Sequence, residues 1–179
     1  MRLANEHVLL RAIEPSDIDL LYLWENDPEN WKVSSTQAPF SRFVLEQYIT
    51  SSHDDIYTAK QLRLIVCSPN PSPGGEGGRP IGSIDLFDFE PNHLRAGIGI
   101  LIADKSDRRK GYASEALKLL INYCFDILNL HQLYCNITTD NEASVLLFQK
   151  NGFMITGIKK QWVRDGGNFK DELLLQLIR

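Results

Sequence analysis

The stretch Ile100-Leu101-Ile102-Ala103-Asp104-Lys105-Ser106-Asp107-Arg108-Arg109-Lys110-Gly111-Tyr112-Ala113 decides the fold: an apolar strand ends in a charged turn, and a glycine opens a helix. A strand feeding a helix in this way exposes unpaired backbone N–H groups at the helix start, where the helix dipole favours a phosphate or pyrophosphate. Arg108, Arg109 and Lys110 raise the local positive field, Gly111 permits close approach of the backbone, and the small Ala113 reduces crowding beside an anion. The plainer reading of the same residues is a charged, solvated turn.

Downstream, Ala113, Leu117, Leu120, Ile121, Cys124 and Leu128 recur at helical spacing, so the helix from Gly111 to about Leu128 lays one apolar face on a sheet. Leu133 to Thr138 reads as the next strand, and Thr139 followed by Glu142 predicts a capping box for a helix ending near Asn151. Phe153 to Trp162 and Leu173 to Ile178 read as two final strands around a turn at Arg164-Asp165-Gly166-Gly167-Asn168. Upstream, Ala96 to Ala103, Ile81 to Phe89, Gln61 to Cys67 and Val8 to Ile13 read as strands, with helices near 17–25 and 42–49. Asn26 to Pro39 is polar and turn-rich and reads as a connection, either a lid or a surface loop with Trp31 anchored in the core. In residues 69–80, eight of twelve are Pro or Gly, which predicts a flexible hairpin loop. It is no phosphate loop, because no Gly-Lys-Ser/Thr follows and proline lacks the backbone donor.

The chain has 179 residues, 43% of them hydrophobic and 23% charged, which fits one globular domain over 1–179 with a core that needs no metal or disulfide. Nineteen Lys and Arg against 23 Asp and Glu give a formal charge of -4, which offers no global field for a nucleic-acid backbone. Cys67, Cys124 and Cys135 form no CxxC pair and stand among apolar neighbours, so buried reduced thiols and a cytoplasmic setting are expected. The N-terminal residues carry neither a signal peptide nor a membrane span. His53, His93 and His131 are too dispersed to suggest a metal centre.

Arg108-Arg109-Lys110-Gly111-Tyr112-Ala113 satisfies the cofactor motif of the GCN5-related N-acetyltransferase (GNAT) superfamily: Gln or Arg, two variable residues, Gly, one variable residue, then Gly or Ala. Asn141, Ser144, Phe148, Lys150, Gly152 and Phe153 match a second family signature in the right order. The sequence therefore resembles this superfamily, and most closely its branch of ribosomal-protein and spermidine (diamine) acetyltransferases. The resemblance implies an α/β (α+β) fold of three layers, with a mixed, centrally splayed β-sheet flanked by helices. It also implies acetyl-CoA as cosubstrate. Backbone groups of Ile100, Leu101 and Ile102 would hold the pantetheine arm, and amides from Arg109 through Tyr112 to Ala113 the pyrophosphate, with charge from Arg108 and Lys110. Asn141 and Ser144 would orient the thioester end, with a structural role in the first helical turn as the alternative for Asn141 and a helix-surface hydroxyl as that for Ser144. Many relatives carry at Phe148 a tyrosine that protonates the leaving thiolate. Phe148 has no proton to give and is expected to pack against the cofactor, while Tyr134 and Tyr112 are substitutes in principle.

The implied reaction is direct attack of a neutral amine on the thioester carbonyl within a ternary complex. A base must take the ammonium proton. Among Glu25, Asp85, Asp88 and Glu172, Glu172 is the first candidate for that base, and Glu25 and Asp85 are candidates for binding the amine. The expected acceptor is a polyamine, diamine or other small primary amine. The alternatives are a protein N-terminus and a non-catalytic acyl-CoA-binding module. A homodimer is compatible with the resemblance, but Trp31, Phe40, Phe43 and Tyr48 are equally suited to covering an intramolecular substrate channel.

Overall fold

The computed structural model describes residues 3–34, 36–52, 54–69 and 78–179. Most of the expected loop at 69–80, and His53, lie outside the described residues. Seven strands form one sheet in the order β1-β2-β3-β4-β5-β7-β6: β1 Leu9–Ala12, β2 Leu62–Ser68, β3 Arg79–Glu90, β4 Arg95–Ile102, β5 Gln132–Thr138, β6 Met154–Asp165 and β7 Asn168–Ile178. Every pairing is antiparallel except β4 with β5, so the sheet is mixed. The helices are α1 Ile18–Glu25, α2 Pro28–Ser34, α3 Arg42–Ser51, α4 Ile56–Ala59, α5 Tyr112–Asp126 and α6 Glu142–Lys150.

Strand alternation sorts the side chains onto two faces. On the first face, Leu64, Val66, Ile84, Leu86, Ile98, Leu133, Cys135 and Leu175 pack against Leu117, Leu120 and Cys124 of α5 and Phe148 of α6. On the second face, Ile65 and Cys67 pack against Leu21 and Trp24 of α1 and Leu45 and Ile49 of α3. The result is the three-layer arrangement expected from the sequence. All three cysteines are buried free thiols, and burial pushes Cys124 and Cys135 up to about 12.

Three local readings change. The connection at 26–39 contains helix α2, whose start is built from Asp27, which accepts from the Glu29 amide at 2.9 Å, and from Pro28 in the first turn. Trp31 is half-buried rather than a core anchor, and its indole N–H donates to the Glu25 carbonyl at 2.5 Å. Helix α6 is capped by Asn141, not Thr139: the Asn141 side chain accepts from the Ser144 amide, whereas the Thr139 hydroxyl bonds the Asp171 carbonyl. Finally, β7 begins at Asn168, five residues before its apolar run, because Lys170 and Glu172 pair across the hairpin to β6 instead of entering a core.

The first strand is tied to the turn before α1 by a two-point pair. Arg11 donates to both oxygens of the buried Asp17 at 2.7 Å, and the Glu14 amide adds a bond at 2.8 Å. Burial works against the Asp17 carboxylate, but Arg11 and the Glu14 amide hold its pKa below the ordinary value. A depressed carboxyl contributes stability above its unfolded pKa, near about 4, and loses it as pH falls through the lower folded value. The urea stability gap between wild type and Asp17→Asn is therefore expected to be full at neutral pH and to close on acidification. A gap independent of pH would refute this account.

Candidate active site

Parallel pairing of β4 with β5 covers only Arg95↔Gln132, Ala96↔Leu133 and Gly97↔Tyr134. Beyond that row the strands part, while β4 stays paired with β3 as far as Gly82↔Ile102. Residues Ile98 to Ile102 thus present their β5-facing backbone groups to a slot, and Ile100, Leu101 and Ile102 are half-exposed along it. A backbone edge with unmatched donors and acceptors suits a ligand that carries amides of its own, as a pantetheine arm does.

The slot leads to the turn before α5. Arg109 and Gly111 both take left-handed backbone conformations, with φ of 63° and 89°. For Arg109 this is a conformation that a side chain disfavours, and such strain gathers at functional turns. Gly111 caps α5 without any side-chain acceptor, and a Cβ there would meet nothing within 4 Å. The first amides of α5, from Tyr112 and Ala113 onward, have no carbonyl partner within the helix and stand at the positive end of its 15 residues. This cradle fits a pyrophosphate.

The three basic side chains are not equivalent. Arg108 turns back and donates to the carbonyls of Ile102 and Ala103, at 3.0 and 3.2 Å, so it fastens the end of β4. Lys110 lies 3.4 Å from Asp107. Among the described residues, Arg109 has neither hydrogen bond nor ion pair. The expected charge from Arg108 and Lys110 is thus partly committed to the turn itself.

At the other wall, Asn141 and Ser144 sit in the first turn of α6, the Asn141 oxygen occupied in capping. Phe148, expected against a cofactor, is 3% exposed and meets Phe153 edge-to-face with ring centroids 5.0 Å apart. Its place is in the core, because an apolar ring on the inner face of α6 gains more from burial than from an open slot.

The second face carries the carboxylates. Arg63, on β2, pairs in register with Asp85 on β3, and Asp85 with Gly99 on β4. The Arg63 guanidinium donates to Asp85 and, at 2.5 Å, to Glu25 at the end of α1, with the Tyr48 ring beside it. Burial pushes the Asp85 carboxyl up from its ordinary value, Arg63 opposes this, and Glu25 adds to it. Two carboxylates facing one guanidinium leave an excess negative charge one strand from the slot. Glu25 and Asp85, far apart in sequence, are thereby brought together. Arg63 was not among the residues singled out from the sequence, although a lone arginine inside Leu62-Arg63-Leu64-Ile65 is the kind of interruption that marks a partnered polar group.

A bulge in β3, with Asp88 at φ 48°, brings Asp88 to the same face beside Tyr134. The Tyr134 hydroxyl donates to Asp88 at 3.0 Å, and burial first, then Asp88, pushes its pKa up to about 12. Phe87 packs edge-to-face on Tyr134, and its ring occupies the space a side chain at Gly97 would need. Asp88, Glu90, Arg95 and Tyr134 line a cavity of about 340 Å³ over the paired rows of β4 and β5, behind the point where the slot opens. Glu172 lies on the far side of β5, paired with Lys159 at 2.9 Å, and Lys159 also bonds Asn136. Glu172 is thus separated from the slot by β5, whereas Asp85 and Asp88 lie on the second face on the β3 side of it.

Among the described residues no group of three or more His, Cys, Asp or Glu is arranged to hold a metal ion, and no helix is long and apolar enough to cross a membrane. The sequence profile of the Acetyltransferase (GNAT) domain matches residues 7–154. The chain is 27% identical over 151 residues to the spermidine N(1)-acetyltransferase of Escherichia coli K12, covering 84% of this chain and 74% of that protein. It is 25% identical over 167 residues to the Vibrio cholerae spermidine N(1)-acetyltransferase, covering 93% and 90%. The crystal structure of spermidine N-acetyltransferase from Vibrio cholerae in complex with CoA and spermine shares the fold, with a TM-score of 0.84, 22% identity, and coverage of 97% of this chain and 96% of that one. Splayed strands, a glycine-opened α5 and a profile match over most of the chain agree, and the chain belongs to the GNAT acetyltransferase family.

Proposed function

We propose that this protein transfers an acetyl group from acetyl-CoA to a primary amine of a polyamine, diamine or other small amine, through one catalytic domain spanning the chain. The observation that carries the reading is the pairing of two opposed features at one slot. An amide-lined helix start lies at its outer end, and carboxylates gather on the second face beside its vertex. The first suits a pyrophosphate and the second a cation.

In this reading the backbone of Ile100, Leu101 and Ile102 holds the pantetheine arm, and the amides of Tyr112 and Ala113, with Arg109, hold the pyrophosphate. Glu25 and Asp85 draw a polycation to the second face, and the Tyr134–Asp88 pair marks the vertex. Acetyl-CoA supplies the acyl group when bound. The chain aligns the amine with it and offers Asp85 or Asp88 as the first stop for the ammonium proton, whose removal frees the attacking lone pair. Polyamine names among the relatives support the same acceptor class.

The test is a turnover screen with acetyl-CoA against spermidine, short diamines and an alanine-initiated peptide, reading both CoA thiol and acetylated product. Small polyamines are expected to turn over and the peptide not. Product from the peptide alone would move the acceptor to a protein N-terminus. CoA binding without product from any amine would reduce the protein to a binding module.

A further inference from the structure

We infer that Arg79 is a positioning residue for the pyrophosphate turn, holding it in place through Asp107. The inference rests on the acetyl-CoA reading above. Asp107 ends the 3-10 turn Lys105–Asp107, directly before Arg108, and its side chain is only 1% exposed. Arg79, the first residue of β3, grips it with two bonds, Nη1 to Oδ2 at 2.9 Å and Nη2 to Oδ1 at 2.7 Å. Lys110 approaches the same carboxylate from the other side of the turn, at 3.4 Å.

The turn between β4 and α5 is held at few points beyond its own bonds. Among the described residues these are the Ala103 amide on the Ile81 carbonyl at 3.0 Å, the Arg108 side chain on the end of β4, an exposed Lys105–Glu29 pair at 3.5 Å, and the Arg79–Asp107 pair, in which the carboxylate is buried. A planar guanidinium fork bound at two points sets direction as well as distance, which a backbone amide or a lysine would not do. The pair also has an electrostatic consequence. The Asp107 carboxylate lies in the segment that opens into the amide cradle, and unpaired it would repel the phosphates that the cradle attracts. Arg79 holds the carboxyl well below its ordinary pKa, so it is charged at neutral pH and needs its partner. Removing Arg79 would loosen the turn and leave a buried negative charge near the anion site, with only the longer Lys110 contact at 3.4 Å to offset it.

The experiment compares acetyl-CoA with acetyl-pantetheine, which has the thioester and arm but no pyrophosphate, for wild type, Arg79→Met, Arg79→Lys and the double variant Arg79→Met/Asp107→Asn. For Arg79→Met the KM for acetyl-CoA is expected to rise about tenfold, while kcat and the amine KM stay within about twofold. With acetyl-pantetheine, variant and wild type should be equal. Arg79→Lys should recover part of the loss, and the double variant more than the lysine, because it removes the buried charge. Calorimetric binding of CoA and of pantetheine reads the same contrast without turnover, so an inactive wild type would sink the acyltransfer reading and still leave this inference testable. Arg79→Lys serves if Arg79→Met does not fold. An unchanged KM and CoA affinity, or equal losses with both acyl donors, would overturn the positioning role and leave Arg79 a purely structural residue.

Discussion

Arg63→Met is expected to destabilise the protein by about 3–5 kcal/mol, the largest single loss among the polar side chains described above. The residue holds Asp85 and Glu25 in a cluster whose three side chains are each only 20–24% exposed, and its loss leaves two carboxylates facing each other without a cation. For a chain of this length, that corresponds to a fall of roughly 10 °C in Tm. The pH dependence distinguishes this cause from lost packing. Asp85 already has a raised pKa, and losing Arg63 removes the group that opposes the rise. A carboxyl with a raised folded pKa contributes stability that is present below its unfolded value, near about 4, and is lost as pH climbs through the folded value. The gap between wild type and Arg63→Met in urea denaturation should thus be smallest near pH 4 and grow toward neutrality. A double variant with Asp85→Leu should recover more than half of the loss at pH 7. A deficit that is flat with pH and unaffected by the second substitution would assign Arg63 to packing alone.

Gly82→Ala should cost about 3 kcal/mol, for an entirely steric reason. A Cβ at Gly82 would sit 1.9 Å from the Leu101 carbonyl oxygen and 3.0 Å from the Ile102 Cα, so the backbone of β4 must move. Leu101 and Ile102 border the slot, and activity should fall together with stability. Gly111→Ala is the contrast. Nothing lies within 4 Å of its Cβ, and its cost is that of a left-handed backbone, about 1–2 kcal/mol. Denaturation midpoints that rank Gly111→Ala as the costlier change would refute the steric account of the β3–β4 approach.

Much of this architecture follows from local patterns. The helical recurrence of Leu117, Leu120, Ile121 and Cys124 and the apolar run ending at Ile102 specify a strand, a charged turn and a packed helix wherever they occur. The missed helix α2 had its signal in Asp27-Pro28-Glu29, a cap, a first-turn proline and an acidic residue, masked by the polar composition around it. The cap of α6 went to Asn141 because a cap must lie immediately before the first helical residue, and Thr139 lies too early to reach the third amide.

What composition and periodicity determined by themselves was the strands and the longer helices, their apolar faces, the buried cysteines and the glycine-opened helix start, because each depends on neighbours within a few residues along the chain. Which polar side chains meet was decided only by tertiary structure. Arg63 finds Glu25 and Asp85 across 38 and 22 positions, Tyr134 finds Asp88 across 46, and Arg79 finds Asp107 across 28. Side chains so distant are joined by strand order and register, and by the bulge that brings Asp88 beside Tyr134. The same long-range pairing diverted Glu172 to Lys159 and Arg108 to the end of β4, since a charge in a folded chain goes to the partner that the sheet places within reach.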